Sequence, residues 1–130
     1  MKKTLNRVRR TKKSTLKRKA DKMYADVVKS VGRCQIRGLD ALRCSTGLQC
    51  MHILGRSNHN LRWDTLNGLA GCPAHHVYYT NHPWEWQELI KTHFPNRYKY
   101  VNEWRNEIWD KDIEKVIEGL RNVKPFEELI

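Results

Sequence analysis

Apolar residues at Leu16, Ala20, Met23, Tyr24, Val27, Val28 and Val31 recur three or four positions apart, the spacing of one face of an α-helix. Gly32 follows the last of them and is a natural stop. The pattern changes at Leu48–Leu54, a short apolar run without Pro or Gly that predicts a strand. Gly55-Arg56-Ser57-Asn58 carries turn chemistry, and the alternation Leu61-Arg62-Trp63-Asp64 predicts a second short strand. Pro73 suits the first turn of a helix carrying His75, His76 and Tyr79. Three more helical stripes follow. Trp84, Trp86, Leu89 and Ile90 form one that ends at Pro95. Tyr100, Val101, Trp104, Ile108 and Trp109 form the next, and Ile113, Val116, Ile117 and Leu120 the last. The aromatic residues recur among polar ones at helical spacing, which favours a core over a stacking platform for bases. There is no internal repeat and no Gly-rich phosphate loop.

A chain of 130 residues suits one domain with a modest core. No apolar run reaches the roughly 18 residues of a membrane span, and no signal-peptide core follows the first residues. The expected setting is a reducing cytoplasm, where thiols stay free or bind metal. The net charge of +11 is concentrated. Residues 1–19 hold ten of the 25 Lys and Arg, Lys12, Lys13 and Arg18 among them, and no acid. This predicts a basic, flexible arm at 1–19 ahead of one domain at 20–130, with its core at 34–82 and a helical part at 83–130. Such an arm would release counterions from nucleic acid and add salt-sensitive affinity. A solvated tail is the plainer reading. A membrane-surface helix is disfavoured, because the arm has no large apolar face.

Chemistry concentrates between Leu48 and His82. These thirty-five residues hold five of the six histidines and two of the four cysteines. Imidazole and thiolate are good zinc ligands, and imidazole is the usual general base near neutral pH. The order His52, Asn67, His76, with the last behind Cys72-Pro-Ala-His75, resembles the HNH or ββα-metal nuclease motif. LQCMHILGR, LRWDTLN and GCPAHHVYYTNHPWEW are similar to phage NinG-type recombination endonucleases over roughly residues 20–120.

The resemblance implies an α+β fold, a small zinc-stabilised ββα-metal core with flanking helices. It implies hydrolysis of phosphodiester bonds in branched DNA, in the cytoplasm of a bacterial host. His52 would be the base, and His76 would hold a catalytic Mg²⁺ or Mn²⁺. Asn67 would fix the loop or help bind that ion. A two-fold junction would favour a homodimer.

Two departures stand out. Met51 occupies the position before the base where many such enzymes place a carboxylate or His, so the ion would fall to His76 with Asn67, His82 or water. The first Cys-x-x-Cys knuckle has Arg37 in place of its second Cys. Zinc can still be four-coordinate through Cys34, Cys44, Cys72 and His75 if the loop between Cys34 and Cys44 folds back. Cys50 competes with Cys44 for the fourth place, and four buried thiols without zinc is the plainer alternative.

Arg56 and Arg62 flank the hairpin and could grip phosphates or be surface charges. His59 reads as an exposed turn residue and His93 as a helix-end residue. A restriction or homing nuclease is disfavoured, because no separate sequence-reading domain is apparent. A zinc-stabilised DNA-binding module without catalysis is the reading from another class.

Overall fold

The computed structural model describes residues 12–107, 109 and 112–123. The fold is α+β, with five α-helices and one two-stranded antiparallel sheet among these residues. Helix α1 (Lys12–Lys29) begins four residues before the first apolar position of its stripe. Lys12, Lys13 and Arg18 of the expected arm are therefore helical, and its residues 1–11 lie outside the described residues. Nothing in 12–19 breaks a helix, and α1 buries Ala20, Tyr24 and Val28 along one face. Gly32 ends the segment with φ +79°, in the left-handed region where a Cβ is disfavoured.

Strand β1 (Gln49–His52) pairs antiparallel with β2 (Gly68–Gly71), with Met51 opposite Leu69 and Cys50 opposite Ala70. The second strand is thus not Leu61–Asp64, which forms a turn. Asp64 caps a single 3₁₀ turn (Thr65–Asn67) by accepting from Leu66 N at 2.9 Å. Tyr24 and Tyr100 donate to the Asp64 carbonyl and carboxylate at 2.6 and 2.5 Å. These bonds draw Leu61–Asp64 out of the sheet. The strand Gly68-Leu69-Ala70-Gly71 lacks β-branched and aromatic residues because there is no room for them. A Cβ on Gly68 would lie 2.5 Å from the Tyr24 hydroxyl and 2.7 Å from Val28 Cγ2, and one on Gly71 would lie 2.1 Å from Met51 Sδ.

Both faces of this short sheet are covered, as the alternation of side chains along a strand allows. On one side Ala70 and Trp63 pack with Ala20, Tyr24 and Val28 of α1 and with Ile113, Ile117 and Leu120 of α5 (Ile113–Arg121). On the other, Met51 and Leu69 pack with Ile36, Tyr79, Trp86 and Ile90. Those residues come mainly from α2 (Pro73–Asn81) and α3 (Pro83–His93), which lead to α4 (Pro95–Trp104). All three helices start on a proline, where the missing N–H costs nothing. Asn58 and Asn60 donate their amides to carbonyls at the end of α4, satisfying acceptors that a helix terminus leaves open.

The helical stripes are mostly core, with exceptions. Trp84 is 86% exposed and Trp104 48% exposed, while Trp86 and Val101 are buried. The stripe reaching Trp109 breaks after Trp104, and Ile108 lies outside the described residues. No helix among the described residues is long and apolar enough to cross a membrane.

Candidate metal centre and the adjoining histidine cleft

The segment after α1 is tied to β2 as if it were a third strand. Gln35 donates its N–H to Ala70 O, and its side-chain oxygen accepts from Ala70 N, both at 2.8 Å. This places Cys34 beside Cys72, whose N–H lies 3.3 Å from Cys34 Sγ. The loop then folds back, and Ser45 Oγ accepts from Ala74 N at the start of α2. Cys44 is brought in by that return. Cys72 is the N-cap of α2, and His75 stands one turn along.

The result is a Cys3His cluster in which Cys34, Cys72 and His75 are buried and Cys44 is half-buried. Cys34, Cys44, Cys72 and His75 have ligand atoms all within 4.8 Å of one another. His75 Nδ1 lies 3.0, 3.6 and 3.7 Å from the sulfurs of Cys72, Cys34 and Cys44. A tetrahedral zinc with ordinary bond lengths separates sulfur and nitrogen ligands by about 3.5 Å, so the cluster has the right span and donor set to hold zinc. All four cysteines are free. Burial and the neighbouring Cys34 and Cys72 sulfurs push the Cys44 thiol up to about 11. Burial opposes ionisation of Cys72 too, but the N–H groups of His75 and Ser45 and the His75 ring bring it down to about 6. A low thiol at a helix N-terminus is the usual origin of a metal-ready thiolate.

Sequence reasoning missed Asp40. Its Oδ1 lies 2.9 Å from His75 Nε2, and its Oδ2 accepts from the Tyr79 hydroxyl at 2.5 Å. A carboxylate behind a metal-binding His fixes the tautomer and ring orientation, here with Nδ1 free for the ion. Burial raises the Asp40 carboxyl, yet the bonds from Tyr79 and His75 hold it below its ordinary value. A lone Asp in a loop of several polar residues gave no signal, because its partner lies 35 positions away. Cys50 stands outside the cluster, so Cys44 completes it. Cys50 is half-buried in β1, and burial pushes its thiol up to about 12.

Next to the cluster, β1 and α2 bring His52 and His76 together. Both line a cleft of about 250 Å³ with Asp21, Tyr24, Ala25, Cys50 and Arg56. Both also line a smaller hollow of about 90 Å³ beside Met51, Tyr79, Thr80 and Trp86. His52 stacks on Tyr24, with ring centroids 5.3 Å apart and 24° between planes. Its Nε2 is 3.3 Å from the Arg62 carbonyl, which can only accept. The proton therefore sits on Nε2 and the lone pair on Nδ1. Burial holds the His52 imidazole below its ordinary value, with the Arg56 and Arg62 cations acting the same way. His76 Nδ1 is 2.6 Å from Gln49 Oε1, so this ring keeps its lone pair on Nε2.

Asn67 is fully buried. Its amide donates to the carbonyls of Leu54 and Leu61 at 2.9 and 3.1 Å, and its oxygen accepts from Leu54 N at 2.8 Å. It staples the loop between the strands and does not line the cleft. His82 is exposed, stacks on Tyr78 and bonds the Tyr78 carbonyl at 2.7 Å, outside the lining of the cleft. Met51 is buried over Gly71. Arg62 is forked onto Asp21 and only 16% exposed, whereas Arg56 is 64% exposed at the edge of the cleft. His59 sits half-buried against Trp63 and Trp109, at a larger cavity of about 680 Å³ remote from both groups in its lining. His93 ends α3. The Cys3His cluster is the one group of three or more His, Cys, Asp or Glu among the described residues that converges closely enough to hold an ion.

Comparison with protein-family models, with curated proteins and with solved structures finds no match.

Proposed function

We propose that this chain is a DNA endonuclease of the HNH, or ββα-metal, type, acting on branched recombination intermediates. The observation that carries the reading is the meeting of His52 and His76 in one cleft, at the junction of a strand–strand–helix unit stapled by Asn67. Hydrolysis of a phosphodiester needs a deprotonated water and stabilisation of the charge that builds on phosphorus. His52 is held neutral by burial, with a lone pair on Nδ1, the state a general base requires near pH 7. Arg56, the exposed cation at the cleft edge, lies 3.9 Å from the Asp21 carboxylate and would meet a phosphate. Lys12, Lys13 and Arg18 along α1 would follow the backbone of the DNA. Zinc in the Cys3His cluster would have no part in the reaction. It would tie the loop from Cys34 to Cys44 onto the start of α2, the helix that carries His76.

The Mg²⁺ or Mn²⁺ that the resemblance implies fits less well. The cleft offers His76 but no converging carboxylates, since Asp21 is engaged by Arg62 and Trp63. No step is routed through that ion. Its shortage of ligands, with Met51 buried beside the base, favours the second reading: a zinc-stabilised DNA-binding module.

One assay separates them. Zinc-loaded protein is incubated with a four-way junction, with and without Mg²⁺ or Mn²⁺, and nicks are counted. The endonuclease reading expects metal-dependent nicking by the wild type and none by His52→Ala. Junction binding without nicking under every ion condition would leave the binding module as the function.

A further inference from the structure

Helix α1 reaches the cleft through two side chains. Tyr24 stacks on His52, and Asp21 stands one turn earlier. Asp21 accepts from Arg62 Nε at 3.1 Å and from Arg62 Nη2 at 2.8 Å, a two-point fork, and its Oδ1 also accepts from Trp63 Nε1 at 2.9 Å. Arg62 and Trp63 belong to the turn that replaced the expected second strand. The carbonyl of that same Arg62 faces His52 Nε2 at 3.3 Å. A chain of contacts therefore runs from a carboxylate on α1, through one guanidinium and its own backbone, to the imidazole in the cleft.

We propose that Asp21 is a positioning residue for His52. By forking the Arg62 guanidinium it fixes the carbonyl that holds the imidazole in its Nε2–H tautomer, with Nδ1 left as the base. The inference rests on the reading of His52 as the base, although its structural half stands without it. A fork between carboxylate and guanidinium sets direction as well as distance, which a single ammonium contact does not. Trp63 strengthens the grip, because its ring is buried while its N–H shares the same carboxylate. Burial alone would raise the Asp21 carboxyl, but the bonds from Arg62 and Trp63 hold it below its ordinary value. Arg62 is thereby engaged inside the protein, and its contribution to DNA binding should be small.

The test uses the zinc-loaded full chain with Asp21→Asn and, separately, Arg62→Lys. Asparagine offers one acceptor oxygen and turns an amide toward the guanidinium. Lysine keeps the charge but cannot fork. Two quantities are measured: the ¹⁵N shifts of the His52 ring nitrogens at a pH where the imidazole is neutral, and kcat with KM on junction DNA. The wild type should show one Nε2–H tautomer. In both variants the two nitrogen shifts should converge toward those of a freely averaging ring. Loss of an outer-shell partner of this kind costs on the order of tenfold or more in kcat. KM should stay within about twofold for Arg62→Lys, which leaves Arg56 and its 3.9 Å ion pair with Asp21 in place. The double variant should be no worse than the poorer single one, since both break one chain of contacts.

Unchanged ring shifts in a folded variant would overturn the proposal. So would a raised KM with unchanged kcat, which would make Arg62 a phosphate grip. Should Asp21→Asn fail to fold, Arg62→Lys carries the same measurements with every charge retained. Should the wild type fail to cut any junction, the endonuclease reading falls, and the ring shifts still decide whether Asp21 positions His52.

Discussion

The thiols and imidazoles of this chain differ in their neighbours, and the neighbours set what each can do. Cys72 and His75 share a helix start and a single cluster, whereas Cys50, two residues from His52, faces the cleft. Removing Cys72 or Cys44 should therefore empty the cluster of zinc and lower the melting temperature sharply, because structural zinc binding is folding free energy. Cys50→Ser should leave zinc content at one per chain. Asp40→Ala should weaken zinc binding by about 10–100-fold without removing a ligand. Zinc content after dialysis against a graded chelator reads all four variants, and an Asp40→Ala protein that holds zinc as tightly as the wild type would refute its role. The Cys3His cluster was legible in the sequence because thiols and imidazole at knuckle spacing carry chemistry, and the order His52, Asn67, His76 marked the residues that line or staple the neighbouring cleft. Asp40, Gln49 and Asp21 were not. Each matters only through a partner that is 27 or more positions away in the chain, and short sequence patterns do not record such pairings.

At the level of elements, helices were easier to read than strands. A stripe such as Ile113, Val116, Ile117 and Leu120 needs only a 3.6-residue period, and α5 follows it from Ile113 to Arg121. The second strand misled because its composition answers to crowding rather than to strand propensity. Leu61–Asp64 alternates but is held in a turn by Asn67, Tyr24 and Tyr100. Gly68–Gly71 does not look like a strand, yet it is the strand, because α1 and Met51 leave no space over its glycines. Gly68→Ala tests this directly. The new methyl would overlap Tyr24 and Val28, and overpacking of that kind costs about 1–3 kcal/mol. It should also displace the ring on which His52 stacks. Denaturant unfolding should show the loss of stability, and a Gly68→Ala protein as stable as the wild type would mean that α1 is held more loosely than its packing indicates.

For the whole molecule, charge and fold overlap more than composition suggested. Lys12 through Lys19 look like part of a tail, but they are the first two turns of a helix whose later residues hold the cleft. Lys12 already pairs with Glu114 of α5 at 3.7 Å. Deleting residues 1–19 would thus remove the start of a packed helix, while deleting 1–11 removes five cations and keeps every residue of Lys12–Lys29. The shorter deletion should preserve melting temperature and weaken DNA binding. The slope of log affinity against log salt should become shallower, by about 0.9 for each duplex phosphate that the arm no longer neutralises. Equal slopes for the two proteins would mean that residues 1–11 do not touch the DNA.

The most direct measurement is the pH-dependent rate of junction cleavage by wild type and His52→Ala, prepared with equal zinc content and matched melting temperatures. As a general base His52 would act in its neutral form, and burial holds its protonation below the ordinary 6.5. The wild-type rate should therefore climb as pH rises through a value below 6.5 and level off above it. The variant should lose about 10²–10⁴-fold across that plateau and bind junction DNA as tightly as before. Cleavage by His52→Ala at near the wild-type rate, with the same pH profile, would contradict the assignment of the cleft as the active site.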